Sequence, residues 1–293
     1  MDGGVQAILF VGAALLGLII GSFLNALSFR FNTGQKFFSK RGMGGRSRCM
    51  HCGHALSALD LVPVLSFVFL GGKCRYCGAR ISWQYPLVEL AAAVLSVLVL
   101  LAHPVVVGYN VQPLPYLFWL VVWMTLLFIV VYDIKHTIIP WSCSSFLAAL
   151  AVLLLFFNFQ TLQFAMPGMW TLLAGPLLAL PLFLLSLISG GTWMGWGDSA
   201  LELSLGWLLA ASVGLSAGIT ALMLAFWIGA VVGVILMLLS RLLTFGSASA
   251  KTPSRDGYTI RSEIPFAPFL ALGALLAHFF HVDFFSTIST LFY

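Results

Sequence analysis

Two acids and four cysteines carry the side-chain types and spacing that chemistry requires. Asp198 lies in Met194-Gly195-Trp196-Gly197-Asp198-Ser199-Ala200-Leu201-Glu202, between two long apolar runs. A carboxyl at the edge of hydrocarbon costs several kcal/mol to bury, so one placed there is a functional candidate. The flanking glycines let the backbone turn sharply or approach another group with no Cβ in the way. The stretch also has the form of a helix start: Ser199 with Glu202 three residues on makes a capping box, and Asp198 suits the positive helix end. Asp133 stands in Tyr132-Asp133-Ile134-Lys135-His136-Thr137-Ile138-Ile139-Pro140, at the end of another apolar run. Two carboxyls brought close cannot both ionise cheaply; one holds the proton and the pair titrates as a unit. That is the arrangement for peptide hydrolysis in which an ionised Asp takes a proton from water and a protonated Asp donates to the scissile carbonyl. A helical substrate would first unwind locally, because a helix hides its carbonyls in i to i−4 bonds. Lys135 offers Asp133 a rim ion pair and should favour its ionised form, so Asp133 reads as the base and Asp198 as the proton holder. His136 reads as an interfacial residue.

The cysteines form two C-x2-C pairs, Cys49-Met50-His51-Cys52 and Cys74-Arg75-Tyr76-Cys77, each followed by glycine (Gly53, Gly78). Four thiolates at this spacing can surround one Zn2+ tetrahedrally and leave no open position, which points to a structural ion. His51 and His54 are alternative ligands, but Cys49, Cys52, Cys74 and Cys77 complete the shell. So small a loop has too little core to fold unaided, and the metal supplies much of its stability. The fifth cysteine, Cys143, reads as packing.

The elements that position these groups are apolar. Of 293 residues, 61% are hydrophobic and 8% charged, against roughly 25% charged in soluble domains. The chain is expected to be an all-α polytopic membrane protein with about eight transmembrane helices and a small cytoplasmic zinc-binding loop domain. Runs of about 17 to 25 apolar residues span a bilayer, and eight are read at 5–29, 86–102, 114–132, 141–158, 171–189, 203–217, 219–241 and 264–281. The sixth is short and Gly/Ser-rich. No cleavable signal peptide is expected. The domain reading is residues 1–30 as the first span, 31–85 as the tetracysteine domain and 86–293 as the membrane core.

Arg30, Lys36, Lys40, Arg41, Arg46, Arg48, Lys73, Arg75 and Arg80 fall between the first and second spans, Lys135 between the third and fourth, and Arg241, Lys251, Arg255 and Arg261 between the seventh and eighth. These segments share one side, and the opposite segments hold no Lys or Arg. The positive-inside rule makes the basic side cytoplasmic and puts both termini outside. Orientation and contact with an anionic lipid bilayer thereby account for the net charge of +5, and no nucleic-acid partner is needed. Asn25, near the inner end of the first span, is placed for an interhelical hydrogen bond, with Gly21 and Ser22 allowing close packing. Glu89, about one turn inside the second span, needs a partner, a cavity or a ligand. Trp83 and Tyr85 read as interface anchors. The polar loop at 242–263 reads as a mobile connection.

Gly195-Trp196-Gly197-Asp198 resembles the GxGD motif of intramembrane aspartyl proteases. Together with Asp133 and Pro140 it resembles the prepilin leader peptidases of bacterial type IV pilus and type II secretion systems. Gly21–Asn25, the tetracysteine loop, Ile81–Leu90 and Ile264–Gly273 also resemble that family's recurrent stretches. The resemblance implies a bacterial inner-membrane enzyme with Asp133 and Asp198 as its catalytic dyad. It implies cleavage of the basic leader of prepilins and pseudopilins on the cytoplasmic side, then methyl transfer from S-adenosylmethionine to the new N-terminal amine. No Rossmann-type methyltransferase signature is visible. Ala200 stands where the family commonly has lysine, Lys135 and Trp141 where it often has acids, and Ala267 where glycine is usual. A transporter or channel with a zinc-stabilised regulatory loop is the competing class, but its acids would sit near the bilayer midplane and often within repeats. A pilus-assembly scaffold without activity is a third reading.

Overall fold

The computed structural model describes residues 3–31, 47–107, 110–245 and 265–284. Lys36, Lys40, Arg41, Arg46, Lys251, Arg255, Arg261 and Ile264, and with them most of the loop read at 242–263, lie outside the described residues. Among those described, every expected apolar run is a helix. In chain order they are α1 (Gly3–Arg30), a short α2 (Leu65–Phe69) inside the cysteine loop, α3 (Gln84–Ala102), α4 (Pro113–His136), α5 (Trp141–Phe156), α6 (Met169–Ser189), α7 (Trp196–Ser212), α8 (Leu215–Phe245) and α9 (Ala267–Phe280). The protein is an all-α polytopic membrane protein. Among the described residues α1, α3, α4, α6 and α8 are long and apolar enough to cross a bilayer, while α5 and α9 are apolar but shorter. The sixth span, expected at 203–217, is displaced: α7 starts at Trp196 and ends at Ser212, where Gly214 at φ +133° breaks the chain before α8. Asp198 therefore belongs to a helix's first turn.

The chain divides into two compact units, residues 1–131 and 132–293, with the boundary inside α4. In the first unit α1 packs on α3 through small residues. A Cβ on Gly17 would come within 2.5 Å of the Ala92 carbonyl oxygen, and one on Gly21 within 2.8 Å of the Glu89 Cα. Only glycine permits so close an approach. Asn25, fully buried, makes the interhelical bond expected of it, donating Nδ2–H to the Tyr85 carbonyl at 3.1 Å and accepting from Gln84 Nε2 at 3.4 Å. Glu89 finds its partner in the cysteine loop, where the Val64 N–H donates to Oε2 at 2.7 Å. Val64 sits at φ +60° and ψ −49°, the centre of a γ-turn closed by the Leu65 N–H on the Pro63 carbonyl, a positive-φ conformation that strains a β-branched residue.

In the second unit α7 touches α5, α6, α8 and α9. Pro176 and Pro181 interrupt α6. Without an N–H on Pro176, the Leu172 carbonyl has no helical donor, and the Trp207 indole of α7 donates to it at 2.8 Å. A Cβ on Gly175 would meet that same indole at 2.7 Å. The proline in one helix, the glycine beside it and the tryptophan in the next thus form a single joint.

Candidate active site and metal centre

Asp133 lies in the last turn of α4 and Asp198 in the first turn of α7, 4% and 8% exposed, both within the second unit. Each carboxyl is held by a backbone amide. The Gly195 N–H donates to Asp198 Oδ2 at 3.1 Å, and the Ala267 N–H donates to Asp133 Oδ2 at 3.2 Å.

The geometry follows from local sequence. Gly190 and Gly191, both at positive φ, end α6 and turn the chain. The buried Ser186 hydroxyl then donates to the Met194 and Gly195 carbonyls at 3.1 and 3.3 Å, tying the returning strand to α6. Gly195 is the N-cap of α7 and Asp198 its third helical residue. This is half a capping box: the acid returns to the N-cap amide, and glycine has no side chain to reciprocate. At Gly197 a Cβ would fall 2.8 Å from the Ile139 Cβ, so the second glycine of the motif lets α7 close on the segment between α4 and α5.

Several expectations change here. Ser199 and Glu202 do not form the capping box. Ser199 donates to the Trp196 carbonyl at 2.8 Å, and Glu202 is buried inside the unit, 3% exposed. Asp198, three residues after the N-cap Gly195, takes the role that Glu202 was expected to serve. Lys135 is exposed while Asp133 is buried, because residues two apart on a helix do not share a face. The rim pair is replaced by the Ala267 amide. His136 folds back on Tyr132, with ring centroids 4.2 Å apart. Sequence reasoning missed the Ala267 amide, the Ser186 stitch and the burial of Glu202. The signal available for the first was Pro268 at the start of a helix, since a first-turn N–H has no helical acceptor and is free to bind an anion.

In the first unit the two cysteine pairs adopt the same turn. Gly53 N–H donates to the Cys49 carbonyl and Gly78 N–H to the Cys74 carbonyl, both at 2.9 Å, with the glycines at φ +71° and +70°. The Cys49 amide bonds the His54 carbonyl at 2.9 Å, and the Cys74 amide bonds that of Ala79 at 2.8 Å. All four thiol sulfurs lie within 4.8 Å of one another, and Cys49 Sγ is 3.9 Å from Cys77 Sγ. Tetrahedral thiolate zinc has an S···S edge of about 3.8 Å, from Zn–S bonds of about 2.3 Å, so this donor set suits that ion. Beside the knuckles, Asp60 binds Arg75 at 2.9 Å and accepts from the Ser57 hydroxyl, the Ser57 amide and the Tyr76 hydroxyl.

With both centres described, comparison with known proteins gives the family. Residues 15–103 match the bacterial peptidase A24 N-terminal domain. A prepilin leader peptidase/N-methyltransferase of Aeromonas hydrophila is 31% identical over 295 residues, covering 94% of this chain and 91% of the relative. One of Bacillus subtilis (strain 168) is 30% identical over 268 residues, covering 91% and 92%. The chain belongs to the prepilin leader peptidase/N-methyltransferase family. A further relative of that name, from Dichelobacter nodosus, is 33% identical over 224 residues, 66% of this chain and 72% of the relative. No solved structure matches. The N-terminal domain match includes α1 from Leu15 onward, the four cysteines and α3.

Proposed function

We propose that the chain is a membrane-embedded aspartic endopeptidase that removes the leader of prepilins or pseudopilins, with Asp133 and Asp198 as its dyad. The observation that carries this reading is two buried acids within one compact unit, one at the end of α4 and one at the start of α7, where Gly197 packs against Ile139 of the segment that follows α4. In this mechanism Asp133, with Oδ2 fixed by the Ala267 amide, takes the proton of the attacking water. Asp198, fixed by Gly195, donates to the scissile carbonyl oxygen. The amides aim the carboxyls before substrate arrives, so little reorganisation is left for the reaction itself. The positive-inside rule, applied to the basic loops of the sequence, supports a cytoplasmic face for the dyad and for the cysteine loop. Cys49, Cys52, Cys74 and Cys77 would hold one zinc ion as a structural cross-link, with no part in the proton transfers. The methyltransferase half of the family name adds N-methylation of the exposed amine, with S-adenosylmethionine as donor, and no residue is assigned to that step.

The test is mass spectrometry of a prepilin incubated with the protein in proteoliposomes. The wild type should shorten the substrate. Asp133→Asn and Asp198→Asn should each lower the rate by about 10²- to 10⁴-fold or more, with the protein still inserted and folded. Appreciable cleavage by either variant, or ion flux without cleavage in the wild type, would refute the dyad.

A further inference from the structure

α2 is five residues long and turns Leu65, Val68 and Phe69 outward, 54%, 66% and 84% exposed. These are positions i, i+3 and i+4, one face of a helix. The opposite side is committed to the protein: Phe67 packs on Trp83 with ring centroids 5.0 Å apart, and the Val64 amide just before α2 is bonded to Glu89. Both contacts fix the level of α2. Trp83 immediately precedes α3, a helix long and apolar enough to span the bilayer, so it marks that helix's water boundary. The Glu89 side chain leans back towards the start of α3, as helical side chains do, and brings Val64 to the first turns of the span. An apolar face held there by a 2.7 Å bond to a buried carboxyl, at the cost of a positive-φ valine, is not free to drift into water.

From these positions we infer that α2 is an interfacial wedge: its Leu65, Val68 and Phe69 face inserts among the lipid acyl chains bordering the cysteine loop, and the occupant of this surface is the bilayer itself. An open groove of about 370 Å³ runs from Ile19, Phe23 and Leu27 of α1 to Leu61 and Pro63 just before α2, with Ser22, Arg30 and Ser47 also on its walls. Beyond α2, the exposed Lys73 and Arg80 face each other across an antiparallel bridge. They set positive charge beside the apolar stripe, the pairing that interfacial elements use on anionic headgroups. The inference stands on the first unit alone and does not depend on the roles of the aspartates.

Photocrosslinking tests it. The full-length protein would carry p-benzoylphenylalanine at Phe69, at Val68 or, as the inward-facing control, at Phe67, and be irradiated in native membrane vesicles. Mass spectrometry would then identify the adducts. The wedge requires phospholipid adducts at 69 and 68, several-fold more abundant than at 67. Adducts confined to a second protein, such as a bound substrate, would overturn it, as would equal lipid yields at all three positions or none at any.

Discussion

A single methyl group tests the tightest contact of the candidate active site. Gly197→Ala would place a Cβ 2.8 Å from that of Ile139, and neither atom lies on a flexible side-chain end. The backbone must shift, and overpacking of this kind costs about 1–3 kcal/mol. A lowered melting temperature together with reduced prepilin cleavage is the expected result, and an alanine variant with wild-type values on both measures would remove the packing role of this glycine. At this scale the sequence was most legible where side chains act and least where backbone does. Asp133 and Asp198 announce themselves as acids flanked by hydrocarbon. The Ala267 amide carries no side-chain signature, and resemblance drew attention to that residue only as a departure from glycine. Its N–H serves Asp133 with alanine in place. Glu202 was misread because its spacing from Ser199 satisfies a local rule that Asp198, nearer the true N-cap, satisfies first.

Between elements, the joint of α6 and α7 shows how the sequence compensates for its own interruptions. Trp207→Phe keeps most of the packing but leaves the Leu172 carbonyl, already without a helical donor, unpaired. A loss of about 1–3 kcal/mol is expected, read as a fall in melting temperature of the detergent-solubilised protein. The cysteine loop makes a pH-dependent prediction. The Ser57 hydroxyl and amide, then the Tyr76 hydroxyl and Arg75, hold the Asp60 carboxyl below its usual range. A depressed carboxyl stabilises fully above its unfolded value of about 4 and loses that contribution as pH falls through the lower folded value. The amide-exchange protection of residues 57–61 should therefore be higher in the wild type than in Asp60→Asn at neutral pH, with the gap closing on acidification. A gap that widened in acid would reverse the assignment. Helix limits were legible wherever a run of apolar residues meets polar ones. They failed at α7: the apolar run was drawn from 203 because the first turn, Trp196 to Ser199, is polar, although the helix-start signal at Asp198 and Ser199 stood within three residues of the true start.

For the molecule as a whole, hydropathy and cysteine spacing carried most of the architecture. The eight apolar runs reappear as helices because backbone polar groups in hydrocarbon must be bonded within the segment. Chain length alone did not fix which of them cross unaided: α5 has 16 residues and α9 has 14. The two C-x2-C pairs were legible because each knuckle is local, with its glycine closing its own turn. Cys49→Ser or Cys74→Ser should release one zinc per chain and expose the loop to protease while α5 to α9 stay resistant. Metal content unchanged in both variants would reject the four-thiolate site.

The Ala267 amide reaches Asp133 from 134 positions further along the chain. During synthesis both acids therefore emerge well before the group that fixes one of them, and the nascent protein passes through a stage in which the pair exists but is unfinished. For the proposed dyad, the fixing of Asp133 has to wait for α9, the last of the described helices to leave the ribosome, so a polypeptide released before it would carry that carboxyl without its backbone donor.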